Sequence, residues 1–321
     1  MPYDHRNPVT RSVPAALAAL VCSAALAGCG GASGAAQGTG GPAAGTTTPA
    51  PPSASASGSA PASGSASGAG AGAATTAGTS GPDRTRAATA ADRSLAGRTV
   101  VVDPGHNPGN FRHGREINAK VDIGTARKEC DTTGTSTNAT GGRAAYTEAA
   151  FTLDVSHRLR KLLEARGAEV VLTHDADRPY GPCIDERARI GNAAEADAVI
   201  SVHADGSATG NRGFHVIVPA KVRGGSADTG PIVAPSRALG EDIVTAFRRT
   251  TGTSPANYLG GGTGLDVRSD LGGLNLSTVP KVFVECGNMR DPKDAALLTS
   301  GVWRQKAAQG LADGIVTYLQ G

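Results

Sequence analysis

Aromatic residues make up only 3% of this 321-residue chain, and no run of Lys and Arg or basic stripe interleaved with aromatics occurs in it. With a net charge of just +3, it carries no footprint of a nucleic-acid binder, and no such partner is expected. Long apolar runs are also scarce. The one near the start, Val13 to Ala27, is too short to span a bilayer comfortably as a permanent helix. Large apolar residues are absent from Gly30 to about Ala91, where Gly, Ala, Ser, Thr and Pro account for nearly everything. Such a chain cannot bury enough surface to offset its ordering entropy. It reads as a flexible tether with a mean end-to-end span of about 40 to 47 Å. No separate repeat that could serve as a binding module is visible.

What is present begins with residues 1–28, laid out as a secretory leader with Arg6 and Arg11 in its polar start. The leader ends in Leu26-Ala27-Gly28-Cys29, which resembles the bacterial lipobox. The resemblance implies that Cys29 becomes the diacylated first residue of an exported lipoprotein, held at the outer face of the cytoplasmic membrane. A plain signal peptide cleaved near Ala27 is the alternative. The expected organisation is a leader over 1–28, a tether over 29–94 and one catalytic domain over 95–321.

Cysteine is sparse, and of the five residues Cys22 leaves with the leader while Cys29 is the lipid site. Cys130 and Cys183 each sit in a polar, loop-like stretch and can pair in an exported protein. Cys286 then stays free in an apolar strand. Two unpaired loop thiols, or a pairing that uses Cys286, are the alternatives.

From Leu95 onward, strand-like and helix-like segments alternate, which predicts a single α/β domain with a mixed, mostly parallel twisted sheet flanked by helices on both faces. Arg98 to His106 is a β-branched run broken by Asp103-Pro104-Gly105, hence a strand that ends in a tight turn. The polar segment 107–146 is too long for an ordinary connection. Thr147 can cap a helix with Phe151, Val155, Leu159 and Leu162 on its apolar face, and Glu148 stands in its first turn. Further strands are expected over Glu169–Thr173, Ala198–Asp205, Gly213–Val218 and Lys281–Cys286. Helices are expected from Asp185 to about Ala194 and from Ser236 to Thr250, and a flexible polar loop over Gly260–Asn275.

Three of these strands deliver His106, His203 and Glu285 to one edge of the sheet, the edge where ligands gather in open α/β folds. Each residue has an ordinary explanation by itself. A carboxylate is favoured at a helix start on electrostatic grounds alone, and a lone His after an apolar strand is most often a satisfied core residue. Together, His106, Glu148 and His203 supply two imidazoles and a carboxylate, the ligand set of a hydrolytic zinc site that leaves a fourth position open. Glu285 would then move protons for the attacking water.

At these residues the chain resembles the zinc-dependent N-acetylmuramoyl-L-alanine amidases often called type 3. The matching pieces are Val102-Asp-Pro-Gly-His106, Glu148 opening a helix, Glu186-Arg-Ala-Arg-Ile-Gly-Asn192, Ser201-Val-His-Ala-Asp-Gly206 and Pro280 to Asn288, in family order. The resemblance implies one Zn²⁺ held by His106, Glu148 and His203, with Glu285 as the catalytic carboxylate and peptidoglycan or muropeptides as the substrate. After Glu285 the chain has Cys286, Gly287 and Asn288, where many members carry an apolar residue and then Gly-Phe. Asp103 and Asp205 are candidates to hold a ligating imidazole in one tautomer, and Arg268 could meet a stem-peptide carboxylate. His113, His157, His174 and His215 have no comparable placement. The competing readings are a zinc peptidase that cuts within the stem peptide, a non-catalytic wall-binding or activator protein, and a thiol hydrolase that uses Cys286.

Overall fold

The computed structural model describes residues 94–321 apart from Thr140 and Arg143, so the expected leader, the lipidation site Cys29 and the tether up to residue 93 lie outside the described residues. The β-branched run forms β1 (Thr99–Pro104), and the long polar segment after it folds into a short helix α1 (Gly114–Ile117) and a hairpin of β2 (Lys120–Asp122) and β3 (Arg127–Glu129). Then come α2 (Glu148–Ala165), β4 (Glu169–Leu172), α3 (Ile184–Ala193), β5 (Ala198–Asp205) and β6 (His215–Pro219). A small ladder of β7 (Arg223–Gly224) and β8 (Ala227–Asp228) leads to α4 (Val233–Thr251), β9 (Leu265–Arg268) and α5 (Gly272–Asn275). The chain ends with β10 (Lys281–Asn288), α6 (Pro292–Leu298) and α7 (Gly301–Gln320).

Six strands form one sheet in the order β4-β1-β5-β10-β6-β9, parallel throughout except where β10 meets β6. The expected mixed, mostly parallel sheet with helices on both faces is what the chain adopts. Side chains alternate across a strand, and that parity sorts the two faces. Val100 and Val102, Ile200 and Val202, and Val282 and Val284 point into one core with Phe151, Val155 and Leu159 of α2, Leu239, Ile243 and Phe247 of α4, and Leu311 and Ile315 of α7. Burying each of these large side chains contributes about 1.5–3 kcal/mol. Val101 and Val199 have the opposite parity and pack with Ile190 of α3 and with Val279.

The second face also receives Asp103, Ser201, His203, Lys281, Phe283 and Glu285, by the same alternation. Register brings them level: Asp103 and Phe283 flank Ser201, and Glu285 stands beside His203. Because β1, β5 and β10 run parallel, their carboxyl ends all deliver to one edge.

Helix α2 begins as its sequence predicts, with the Thr147 hydroxyl accepting from the Ala150 amide at 3.3 Å. Leu163, rather than Leu162, completes its fully buried stripe. Two expectations need correction. The segment 260–275 is not a polar loop: Leu265 to Arg268 pair in parallel with Val216 to Pro219, and Leu265 packs against the core. Edge pairing satisfies the backbone of a segment whose apolar alternation is only two residues deep, too weak a signal to read. Helix α3 starts earlier than Asp185, with Cys183 at its N-cap position and Asp185 and Glu186 in its first turn.

Cys183 is placed there by a disulfide to Cys130, which closes a loop with a sequence separation of 53. Among the described residues Cys286 is the free cysteine, and it is buried. Loop closure of this length predicts that replacing Cys130 and Cys183 by Ala lowers stability by about 2–4 kcal/mol. Urea unfolding of the double variant beside the wild type measures it, and an unchanged midpoint would contradict the expectation.

Candidate metal centre

His106 lies two residues past β1 in a tight turn and holds the left-handed region at φ 63, a conformation that costs a non-glycine residue energy and collects at functional sites. Gly105 makes the turn compatible with its neighbour, since a Cβ there would stand 2.3 Å from Cε1 of His203. Glu148 arrives from the first turn of α2. His106 Nε2 lies 3.2 Å and His203 Nδ1 3.0 Å from the same Glu148 oxygen, Oε1. The two rings meet edge to face at 5.0 Å.

Each of the three residues offers one ligand atom, and these atoms all lie within 4.8 Å of one another. Tetrahedral zinc with bonds near 2.0–2.1 Å sets its ligands roughly 3.3 Å apart, so the chemistry of the donor set and its two spacings to Glu148 fit that ion. The far side of each ring fits it too. His106 Nδ1 faces the Thr132 carbonyl at 3.2 Å, with Asp131 Oδ1 at 3.4 Å. A carbonyl can only accept, so Nδ1 keeps a proton, and Nε2, facing Glu148, is the nitrogen that would ligate once its own proton is displaced. Behind His203, the Ser201 hydroxyl donates to Asp103 at 2.8 Å and so accepts from Nε2 at 3.2 Å, which leaves Nδ1 free to ligate. Backbone amides of Thr135 and Ala204 donate to the two Glu148 oxygens, at 2.9 and 3.2 Å.

The expected orienting residues divide here. Asp103 reaches His203 only through Ser201, whereas Asp205 accepts from the Tyr258 hydroxyl at 2.6 Å and makes no hydrogen bond to either imidazole. The carboxylate behind His106 is Asp131, which the sequence reading did not single out. Its one signal was to follow Cys130, the residue that fixes the loop. Arg268 lines the same cavity as Glu285, but its Nε and Nη2 form a two-pronged pair with Asp270 at 2.7 and 2.8 Å.

Electrostatics follow from packing these groups together. Burial disfavours a charged His106 ring, but the Glu148 and Asp131 carboxylates outweigh it and push the imidazole up to about 10. Burial likewise opposes an ionised Glu148, and the two histidines still hold its carboxyl well below the usual range. The centre therefore keeps a carboxylate ready for a cation, and a bound cation must displace the proton on His106.

Glu285 differs. Burial, then the charges of Glu148 and Asp205, push its carboxyl well above the ordinary value. Its Oε2 is buried without a hydrogen-bond partner, in the wall of a cavity shared with His106, Glu148 and His203. A second cavity of about 240 Å³ adjoins this one and is lined by Lys128, Ile184, Leu271 and Phe283. The Phe283 ring stacks on His203 at 5.2 Å. His215, for which the sequence offers no comparable placement, is the register partner of Glu285 on β6 and is buried. Cys286 points to the opposite face, where burial and then Glu285 raise its thiol well above the usual value. It is no activated nucleophile.

Residues 100–317 match a family described as N-acetylmuramoyl-L-alanine amidase. The chain is 39% identical over 234 residues to N-acetylmuramoyl-L-alanine amidase Rv3717 of Mycobacterium tuberculosis, a match that covers 73% of this chain and 91% of that relative. The crystal structure of the N-acetylmuramyl-L-alanine amidase Ami1 from Mycobacterium smegmatis superposes with a TM-score of 0.62 at 37% identity, covering 70% of this chain and 98% of that one. The apo form of Ami1 from Mycobacterium abscessus gives 0.62 at 41% identity, with coverage of 70% and 100%.

The clearance at Gly105 sets a test. Gly105→Ala must push the His203 ring aside, so the zinc retained after loading and dialysis should fall well below that of the wild type while the far-UV spectrum stays that of a folded protein. Full zinc retention would show that the ring has room the geometry denies.

Proposed function

The chain belongs to the N-acetylmuramoyl-L-alanine amidase family and acts on peptidoglycan, and from that premise we propose that it hydrolyses its substrate with one Zn²⁺ held by His106, Glu148 and His203 and with Glu285 as the proton carrier. The bond cut is the amide that joins the lactyl group of N-acetylmuramic acid to the L-alanine of the stem peptide. The observation that carries the reading is the convergence of three ligand atoms within 4.8 Å beside a buried, unpartnered Glu285 oxygen in one cavity.

An amide resists water because resonance stabilises its carbonyl and because its amine leaves poorly. Bound zinc supplies Lewis acidity, polarising that carbonyl and making water a nucleophile near neutral pH. Glu285 takes the proton that the attacking water sheds and passes it to the departing alanine nitrogen. Burial and neighbouring charge raise its affinity for a proton, which suits the second half of that task, delivery of the proton to the leaving nitrogen. Thr132 and Ser201 hold protons on the outer nitrogens of the two imidazoles, so the inner nitrogens, turned to Glu148, are the ones that would ligate.

Glu285→Gln should keep zinc and lose about 10²- to 10⁴-fold in turnover. The assay is mass spectrometry of products from muropeptides and intact peptidoglycan, with zinc and with chelator. Chelator-sensitive release of intact stem peptides with a free alanine amine is expected. Cuts inside the stem would assign a peptidase instead, and a Glu285→Gln enzyme of normal rate would remove Glu285 from the mechanism.

We also propose that the leader and a lipid on Cys29 hold the enzyme at the outer face of the cytoplasmic membrane, with the tether letting it search the wall. Labelled fatty acid should enter the wild type and not Cys29→Ala, which should leave the membrane fraction. Equal membrane retention of the two would argue for a plain signal peptide.

A further inference from the structure

Arg187 belongs to the Glu186–Asn192 segment that the chemistry above leaves unused. It lies in the first turn of α3, 5% exposed. A guanidinium has five N–H donors in a fixed plane, and here all five are matched. Nε donates to the Pro182 carbonyl at 2.9 Å, and Nη1 to Asp103 Oδ1 and the Pro104 carbonyl, both at 2.6 Å. Nη2 donates to the His106 carbonyl at 3.1 Å and to Asp131 Oδ2 at 3.0 Å.

Two of those acceptors are the carboxylates that stand behind the imidazoles. Each gives Arg187 one oxygen and turns the other toward a histidine. Asp131 Oδ1 lies 3.4 Å from His106 Nδ1, and Asp103 Oδ2 accepts from Ser201, whose hydroxyl touches His203 Nε2. A third acceptor is the carbonyl of His106 itself, on the backbone held at φ 63.

From this arrangement we infer that Arg187 is a positioning residue for the metal centre: one guanidinium sets the direction of both ligating imidazoles and pins the turn that carries His106. The inference rests on the reading that those imidazoles bind zinc. Charge balance alone does not account for the residue. Asp103 already has a second cation, Lys281, whose Nζ stands 3.6 Å from Oδ2 and has no hydrogen-bond partner. What Arg187 adds is a rigid fork that reaches Asp103, Asp131 and His106 at once, and a lysine ammonium cannot reproduce that geometry. Arg187→Lys therefore keeps the charge and removes the fork.

The test compares the full chain as wild type, Arg187→Lys, Asp131→Asn and the double variant, reading Zn²⁺ affinity by competition with a chromogenic chelator and the fold by circular dichroism. Arg187→Lys is expected to remain folded and to bind one Zn²⁺ about 10- to 100-fold more weakly, the size of effect that losing an orienting partner has elsewhere. The double variant should lose less than the product of the two single losses, because both act along the His106 arm. Wild-type affinity in Arg187→Lys, or full multiplicativity with Asp131→Asn, overturns the inference. Should Arg187→Lys not fold, Asp131→Asn decides alone, and unchanged affinity there overturns it. A wild-type chain that cleaves substrate without binding zinc overturns the metal reading and this inference together, whereas a zinc-binding wild type with an indifferent Arg187→Lys overturns the inference only.

Discussion

Two imidazoles and a carboxylate, gathered within a few ångströms in the wall of one cavity, repel or neutralise one another unless their protons and directions are fixed from outside. Much of the structure around the site follows from that constraint. Glu148 keeps its charge because both rings and two backbone amides point at it. The outer ring nitrogens keep their protons because a carbonyl that can only accept stands behind one ring, and a serine committed to a carboxylate stands behind the other, so the inner nitrogens are the ones turned to Glu148. Those carboxylates, Asp103 and Asp131, would themselves be costly to bury; Lys281 stands beside Asp103, and Arg187 pairs with both from a single position. The polar interior beneath the centre is thus a chain of compensations, each link made necessary by the one above it.

The sheet supplies the frame on which this chain hangs. Strands β1, β5 and β10 run parallel and lie side by side, so the alternation that buries Val100, Ile200 and Val282 against three helices turns Asp103, Ser201, His203 and Glu285 to the opposite face. A slip of one residue in any strand would exchange the two sets and place carboxylates in the apolar core. The same register sets Glu285 beside His203, close enough to share a cavity while remaining outside the ligand cluster. Its separation from hydrogen-bond partners fits its proposed work, because a carboxylate locked into a pair gives up its proton at the wrong pH and has no free oxygen for a substrate.

The disulfide joins the frame to the loop. Cys130 is bonded to Cys183 at the start of α3, and Asp131 and Thr132 follow directly. The residues that face His106 from behind are therefore anchored covalently to the helix that carries Arg187. A long polar segment that would otherwise lose much entropy on ordering is held where it meets the candidate metal centre.

The sequence by itself determined the parts governed by local pattern. Short apolar, β-branched runs marked β1, β5 and β10, the cap at Thr147 and the apolar spacing marked α2, and the residue types at the strand ends and the helix start marked His106, His203, Glu285 and Glu148 as candidates. Local pattern carries such information because alternation, capping and turn chemistry act over a few residues. Tertiary structure decided which groups stand behind the imidazoles. Asp131 and Arg187 are separated by 56 positions, and Asp103 and Ser201 by 98, so no spacing along the chain could pair them. It decided likewise that Asp205 would turn to Tyr258, that Arg268 would pair with Asp270 and that Gly260–Asn275 would contain an edge strand. In each case a weak local preference was settled by partners that only the folded sheet brings within reach.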